Sequence, residues 1–329
     1  MKTFLSITLV AVFWSFSSGG LAQEKLAQTG FQFLSVGTDA RATAMGEAFT
    51  TLEGTSLALF YNPAGMVRLS SVLDLRINRM TWIADIEYFS GTMALNLFDS
   101  RFGVLGISFL YVDYGEILGT VVAENEAGYI ETGTFNPSAY LIGVGYAKDL
   151  TDRFSIGGQV KYVVQSLGKP YVPISLTEQE RKEFRQSVFA FDFGTLYKTG
   201  FKSLAFGMTL KNFSRELKYV KEGFLLPLTF RVGFSMDVLD FVQNRPEAHR
   251  LFLSIDAINP RSHQEFVAIG GEYRFLDRFV LRGGYVTGQD GYSMTAGFGV
   301  NLYGLSVDFS YTPYKIFNDV NRFTFSFTF

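Results

Sequence analysis

The chain has 329 residues, with 29 basic against 31 acidic side chains, 35 Phe, 17 Tyr, 33 Gly, 8 Pro and no Cys. A net charge near zero gives a nucleic-acid partner no electrostatic support, and the missing cysteine removes disulfides, thiolate metal sites and a lipidated N-terminus together. So much phenylalanine needs a very large soluble core to hide it, whereas strands facing lipid have no such limit and favour aromatic girdles at both membrane interfaces.

Residues 1–22 read as a secretory signal peptide. Lys2 supplies the positive start, Phe4 to Phe16 the apolar run, and Gly20-Leu21-Ala22 the small residues read by a signal peptidase. No later stretch is apolar for long enough to form a spanning helix, so the exported chain can enter a membrane only as strands.

Residues 23–70 form a separate N-terminal segment. Within Thr29 to Met66 the apolar residues do not follow a strand period. This stretch contains GTDARATAMGEAF (Gly37 to Phe49), whose Ala40 to Phe49 favours a helix, and YNPAG (Tyr61 to Gly65), a turn.

Alternation begins in residues 71–329. Leu73, Leu75 and Ile77 are apolar, with Asp74, Arg76 and Asn78 between them. Similar runs follow at about 85–98, 103–115, 137–148, 153–167, 187–198, 203–213, 226–238, 250–258, 265–276, 278–288, 291–303, 304–314 and 320–329, making fourteen candidate strands. Most have the length that a tilted strand needs to cross a bilayer. In the last run Phe323, Phe325, Phe327 and Phe329 oppose Arg322, Thr324, Ser326 and Thr328. Each clean run has one greasy and one polar or small face.

The connections alternate between short and long. With the barrel beginning at the periplasm, tight turns at Asp149 to Arg153, Lys198 to Lys202, Leu276 to Asp277 and Tyr303 to Gly304 fall on that side. The longer connections Glu116 to Asn136, Gly168 to Ser187 and Ser214 to Leu225 fall on the other. This asymmetry is that of an outer-membrane barrel. Phe325, Phe327 and the terminal Phe329 resemble the signal by which such barrels are recognised for assembly. The fold expected is all-β: a 14-stranded antiparallel transmembrane β-barrel with an N-terminal, partly helical plug in the lumen.

Nothing points to an enzyme, a metal or another cofactor. His249 and His263 have no second ligand at metal spacing. Gly143-Val144-Gly145 and Gly297-Phe298-Gly299 lie in strands, where they read as small residues facing a crowded lumen rather than a nucleotide loop. Ser293 completes no nucleophile elbow, because Thr295 stands where glycine is needed. In the loop SLTEQERKEFR, Ser175 and Thr177 each precede a Glu by three residues, a capping-box pattern for a short helix.

The alternation turns a set of charges inward: Asp74, Arg76, Lys161, Asp192, Lys211, Arg231, Asp237, Asp256, Glu272, Arg274, Arg282, Asp308 and Arg322. Both signs are present, which favours ion pairing across the lumen or against the plug over a one-sign filter; a polar permeation path is the alternative. Arg41 is the plug residue placed to meet an inward carboxylate such as Asp192 or Asp308.

Gly37, Ala40, Arg41, Ala44, Met45, Gly46 and Ala48, followed by Asn62-Pro63-Ala64-Gly65, resemble the opening of the PorV/PorQ family of outer-membrane proteins, a branch of the barrels typified by the fatty-acid transporter FadL. LAFGMTLKNFS (Leu204 to Ser214), LPLTFRVGFS (Leu226 to Ser235) and GGEYRFLDRFVLRGGY (Gly270 to Tyr285) are similar too, so the resemblance covers nearly all of the exported chain. It implies a fourteen-stranded barrel whose N-terminal segment folds into the lumen, in a Gram-negative outer membrane. It also implies a role in type IX secretion, in which such proteins accept exported cargo at a translocon and carry it to attachment machinery. The expected partners are then outer-membrane lipid, the translocon and cargo proteins. The alternative is a FadL-like transporter, with a hydrophobic small molecule in the lumen.

Overall fold

Because neighbouring side chains of a strand point to opposite faces, one polar and one greasy face per strand can be satisfied by a closed wall between water and lipid. The computed structural model describes residues 29–97, 101–174, 179–243, 248–289 and 291–329, so the signal-peptide reading of 1–22 lies outside the described residues. The wall is a closed barrel of fourteen antiparallel strands. They are β1 (Leu73–Thr81), β2 (Glu87–Leu95), β3 (Val104–Asp113), β4 (Ser138–Asp149), β5 (Phe154–Ser166), β6 (Arg185–Lys198) and β7 (Ala205–Ser214). The second half comprises β8 (Thr229–Asp237), β9 (His249–Pro260), β10 (Phe266–Phe275), β11 (Phe279–Val286), β12 (Met294–Leu302), β13 (Leu305–Thr312) and β14 (Val320–Thr328). Each expected strand is present, with ends shifted by a few residues.

Each strand pairs with its neighbours in sequence, and β1 closes on β14 in a register that sets Leu75 opposite Phe327. Leu73 and Phe329 exchange both backbone hydrogen bonds at 2.9 Å, so the terminal residue completes the seam. Its side chain points outward, as do those of Phe325 and Phe327.

The barrel is inside-out relative to a soluble protein. On β14, Phe323 and Phe325 are 48% and 58% exposed, while Arg322 and Thr324, alternating with them, are 3% and 0% exposed. Such a continuous apolar exterior is stable only against lipid.

Strand polarity gives the barrel two unlike ends. At the short-turn end Tyr303 and Gly304, both with positive φ, make the two-residue hairpin between β12 and β13. The longest connection there is 238–248, which opens with a 3-10 turn at Val238–Phe241. The loop end carries three two-stranded ribbons: Ile117–Val122 with Tyr129–Phe135, Tyr171–Pro173 with Gln179–Arg181, and Leu217–Lys218 with Gly223–Phe224. The helix expected from Ser175 and Thr177 is not borne out where it can be followed. Those two residues lie outside the described ones, and Gln179–Arg181 is a paired strand, its backbone bonded across the ribbon instead of along a helix.

The lipid-facing belt carries the first prediction. Val144→Arg, near the middle of β4 and 57% exposed, places a charge in hydrocarbon and costs about 2–4 kcal/mol. Reversible urea unfolding in bilayers measures the loss; a smaller loss for the same change at the exposed loop residue Val122 is the control.

Candidate functional site: the plugged lumen

The N-terminal segment enters the barrel at the loop end and crosses the lumen before joining β1 at the short-turn end. At the top, Gly30 N donates to Leu225 O at 3.0 Å, and the Phe31 ring stacks on Phe224 at 5.9 Å. The buried Phe31 and Phe33 pack with Tyr88, Val112, Leu141 and Val188 from the upper ends of the wall strands.

Lower down, Asp39 caps one turn of α-helix, α1 (Ala40–Ala44), by accepting from Ala42 N at 3.1 Å. The helix expected to run on to Phe49 stops there, because Gly46 and Glu47 both take left-handed backbone angles. That break has a packing cause. Gly46 lies backbone to backbone against Gly284 of β11, where a Cβ on Gly284 would strike the Gly46 nitrogen. After the break Met45, Phe49, Leu57 and Tyr61 fold into a small core belonging to the plug alone.

The NPAG turn is a clip. Asn62 Nδ2 donates to Thr50 O in the plug at 2.8 Å and to Thr195 O in β6 at 2.9 Å, while its Oδ1 accepts from Ala64 N. Pro63 opens the 3-10 turn Pro63–Arg68, and the backbone of Pro63 and Ala64 lies where a Cβ on Gly157 of β5 would be. Gly37 contributes its carbonyl, which accepts from Arg322 Nε at 2.9 Å.

The charges set inward by the alternation all lie on the lumen side, buried or, for Lys211 and Arg274, half-buried. Arg41 does not meet Asp192 or Asp308. It forms a two-pronged pair with Glu272 of β10, Nε to Oε2 at 2.7 Å and Nη2 to Oε1 at 2.9 Å. The other two carboxylates are already taken by wall residues: Asp192 by Lys161 at 2.7 Å, and Asp308 by Arg282 at 2.6 Å. Arg282 Nε also reaches Glu272 at 2.7 Å and Arg274 Nη2 reaches it at 3.3 Å, so three guanidiniums converge on one fully buried carboxylate. Convergence of this kind keeps a buried carboxylate charged where an isolated one would be neutralised.

Other wall charges hold the plug as well, Asp256 and Arg231 among them. Asp256 accepts from Phe49 N and Thr50 N at 2.9 Å and from the Thr50 hydroxyl at 2.6 Å. Arg231 reaches the Glu47 carboxylate at 3.2 Å, and its guanidinium lies 5.5 Å from the Tyr61 ring centre. Asp237 caps the turn that follows β8, accepting from Leu239 N at 3.0 Å and from Leu251 N of β9 at 3.1 Å. His249 and His263 stay apart, bonded to Tyr273 and Ser262, and no metal-ligating group of three occurs among the described residues.

Two cavities flank the plug. The larger, about 1080 Å³, opens between the plug and the loop end. Its lining is mixed: Leu34, Phe60, Trp82, Leu110, Leu141 and Tyr314 supply apolar and aromatic surface, and Gln32, Thr38, Asn212, His263 and Gln264 supply neutral polar surface. Lys161, Lys211, Arg231 and Arg322, with Glu47 and Asp192, give it a charged floor. Burial raises the Tyr292 phenol above its ordinary range. The smaller cavity, about 460 Å³, lies at the short-turn end. Reading for charges missed the apolar parts of the lining. Their signal is the loss of polar residues from the inward positions near the loop end, where Leu110 faces inward beside outward Tyr111.

The Glu272 cluster carries the second prediction. Arg41→Ala leaves the barrel assembled and loosens the plug, seen as new ion conductance in planar bilayers. Glu272→Gln, which strands three guanidiniums, costs roughly 3–5 kcal/mol and conducts more. A silent barrel in both variants counts against the plug being held this way.

No family model matches the chain, and no curated protein is significantly similar to it in sequence. Among solved structures it is similar to the Pseudomonas putida toluene transporter TodX, at 12% identity over 89% of this chain and 99% of that one, with a TM-score of 0.60. It is also similar to a Pseudomonas aeruginosa FadL homologue, at 10% identity over 89% and 98% of the two chains, with a TM-score of 0.54. At these identities the likeness is one of architecture: the chain has the fold of the FadL-like outer-membrane barrels.

Proposed function

We propose that this protein takes up a hydrophobic small molecule through a plugged barrel in a Gram-negative outer membrane. The observation that carries the reading is the loop-end cavity. It combines a volume of about 1080 Å³ with a lining shared between aromatic or aliphatic side chains and polar or charged ones. The aromatic and aliphatic part, around Trp82, Leu110, Leu141 and Tyr314, is the surface suited to a hydrophobic small molecule. The shared fold supports it, since TodX is described as a toluene transporter and a monoaromatic hydrocarbon channel. The plug closes the way below the cavity, so passage requires the Asn62 clip or the Arg41–Glu272 pair to give way.

A second reading rests on the resemblance of residues 37–65 and 270–285 to the PorV/PorQ family: a component of type IX secretion that accepts cargo and does not conduct. Its support is that the motif residues Arg41, Met45, Gly46 and Asn62 are spent on packing and fastening the plug. That favours a barrel kept shut.

Trp82 lines the cavity and is the only tryptophan among the described residues, which makes it the reporter. Toluene or a long-chain fatty acid added to the purified barrel changes Trp82 emission saturably, and Leu141→Glu on the apolar wall weakens binding about tenfold or more. Unchanged emission, together with recovery of translocon or cargo proteins from detergent-solubilised outer membranes, would overturn uptake in favour of secretion.

A further inference from the structure

The smaller cavity lies across the plug from the proposed uptake site and is built from different chemistry. Five arginines and three aspartates line it. Its lining carboxylates are engaged where they are buried. Asp308 receives Arg282 Nη1 at 2.6 Å, and Asp74 accepts from the Ser56 backbone N at 2.7 Å and from its hydroxyl at 2.5 Å.

The guanidiniums are not used up. Arg76 is 7% exposed, yet its Nε stands 3.5 Å from Asp74 and its Nη1 stands 3.6 Å from Asp39, too far for good hydrogen bonds. Neither nitrogen has a hydrogen-bond acceptor among the described residues, and the buried Nε of Arg274 has none either. Three buried donors from two arginines therefore front one cavity. Guanidinium N–H groups in a fixed fork match the paired oxygens of a carboxylate or phosphate.

We propose that this cavity is a binding site for a small oxyanion of the carboxylate or phosphate class, whose oxygens accept from Arg76 and Arg274. Water offers donors as well as acceptors, whereas an oxyanion offers only what these nitrogens lack. The site does not depend on what the loop-end cavity binds. It does share a residue with the plug's fastening, because Arg274 also touches Glu272, the partner of Arg41.

Calorimetric titration of the full exported chain in detergent, with inorganic phosphate and with acetate, tests the assignment; chloride at equal ionic strength is the control. Saturable binding of phosphate or acetate is expected, weakened about tenfold or more by Arg274→Gln and unchanged by Lys221→Gln in a loop at the opposite end. Arg274 is half-buried, and heat-modifiable gel mobility shows whether the variant is folded. Should it fail to fold, Arg274→Lys keeps the charge without the guanidinium Nε and is expected to show the same loss. No saturable binding of either anion overturns the proposal and leaves a water-filled vestibule. Binding untouched by the Arg274 variants, or lost equally in Lys221→Gln, overturns it as well.

Discussion

Closing fourteen strands creates an interior too wide for their own side chains to fill. Eight strands enclose a space that side chains just occupy, and the diameter grows with strand number. Here part of the chain supplies the missing filling. Apolar contacts hold part of the filling, as where Phe31 and Phe33 meet Leu141 and Val188 and where Leu59 and Met66 meet Val104 and Ala147. Where the inner wall is polar, the filling is held by hydrogen bonds and ion pairs aimed at particular atoms, as when Asp256 receives two plug amides and a hydroxyl. Glycines in the wall set how near the plug backbone can come, and so set which charges can meet.

The barrel is legible in the sequence because lipid on one side and lumen on the other force a period of two on every wall strand. That one constraint places Glu272, Arg282 and Asp308 on the lumen side without knowledge of the fold. It says nothing about height along the barrel axis. Arg41 pairs with Glu272 because the helix breaks at Gly46 against Gly284 and because Asn62 pins the later turn to β6. Both are contacts between residues far apart in the chain, which local patterning does not reveal. The helix-favouring run to Phe49 misleads for the same reason: tertiary packing overrides a weak local preference. The loop-end cavity is half-legible, since its apolar surface shows as inward positions that lose their polar residues near the loop end.

The plug also divides the lumen into two chemically unlike chambers. The upper mixes aromatic and aliphatic surface with polar groups over a charged floor; the lower is lined largely by arginine and aspartate. A molecule crossing from one to the other exchanges apolar contacts for ionic ones, so the plug separates two solvents as well as two sides of a membrane. Uptake through such a barrier requires the ion pairs around Glu272 or the Asn62 clip to be traded for others rather than simply broken, since Glu272 and Asn62 are fully buried.

The path of the N-terminal segment bears on how the molecule is put together. It meets the loop 215–228 at Gly30, descends the full lumen and turns into β1 at the opposite end. A chain so placed cannot easily be threaded through a finished ring, because each wall strand already pairs with both neighbours. The order of events that suits this geometry lets the segment collapse against the curling sheet first. The last act is then the zipping of β14 onto β1, with Phe329 and Leu73 fastening the seam around contents already in place.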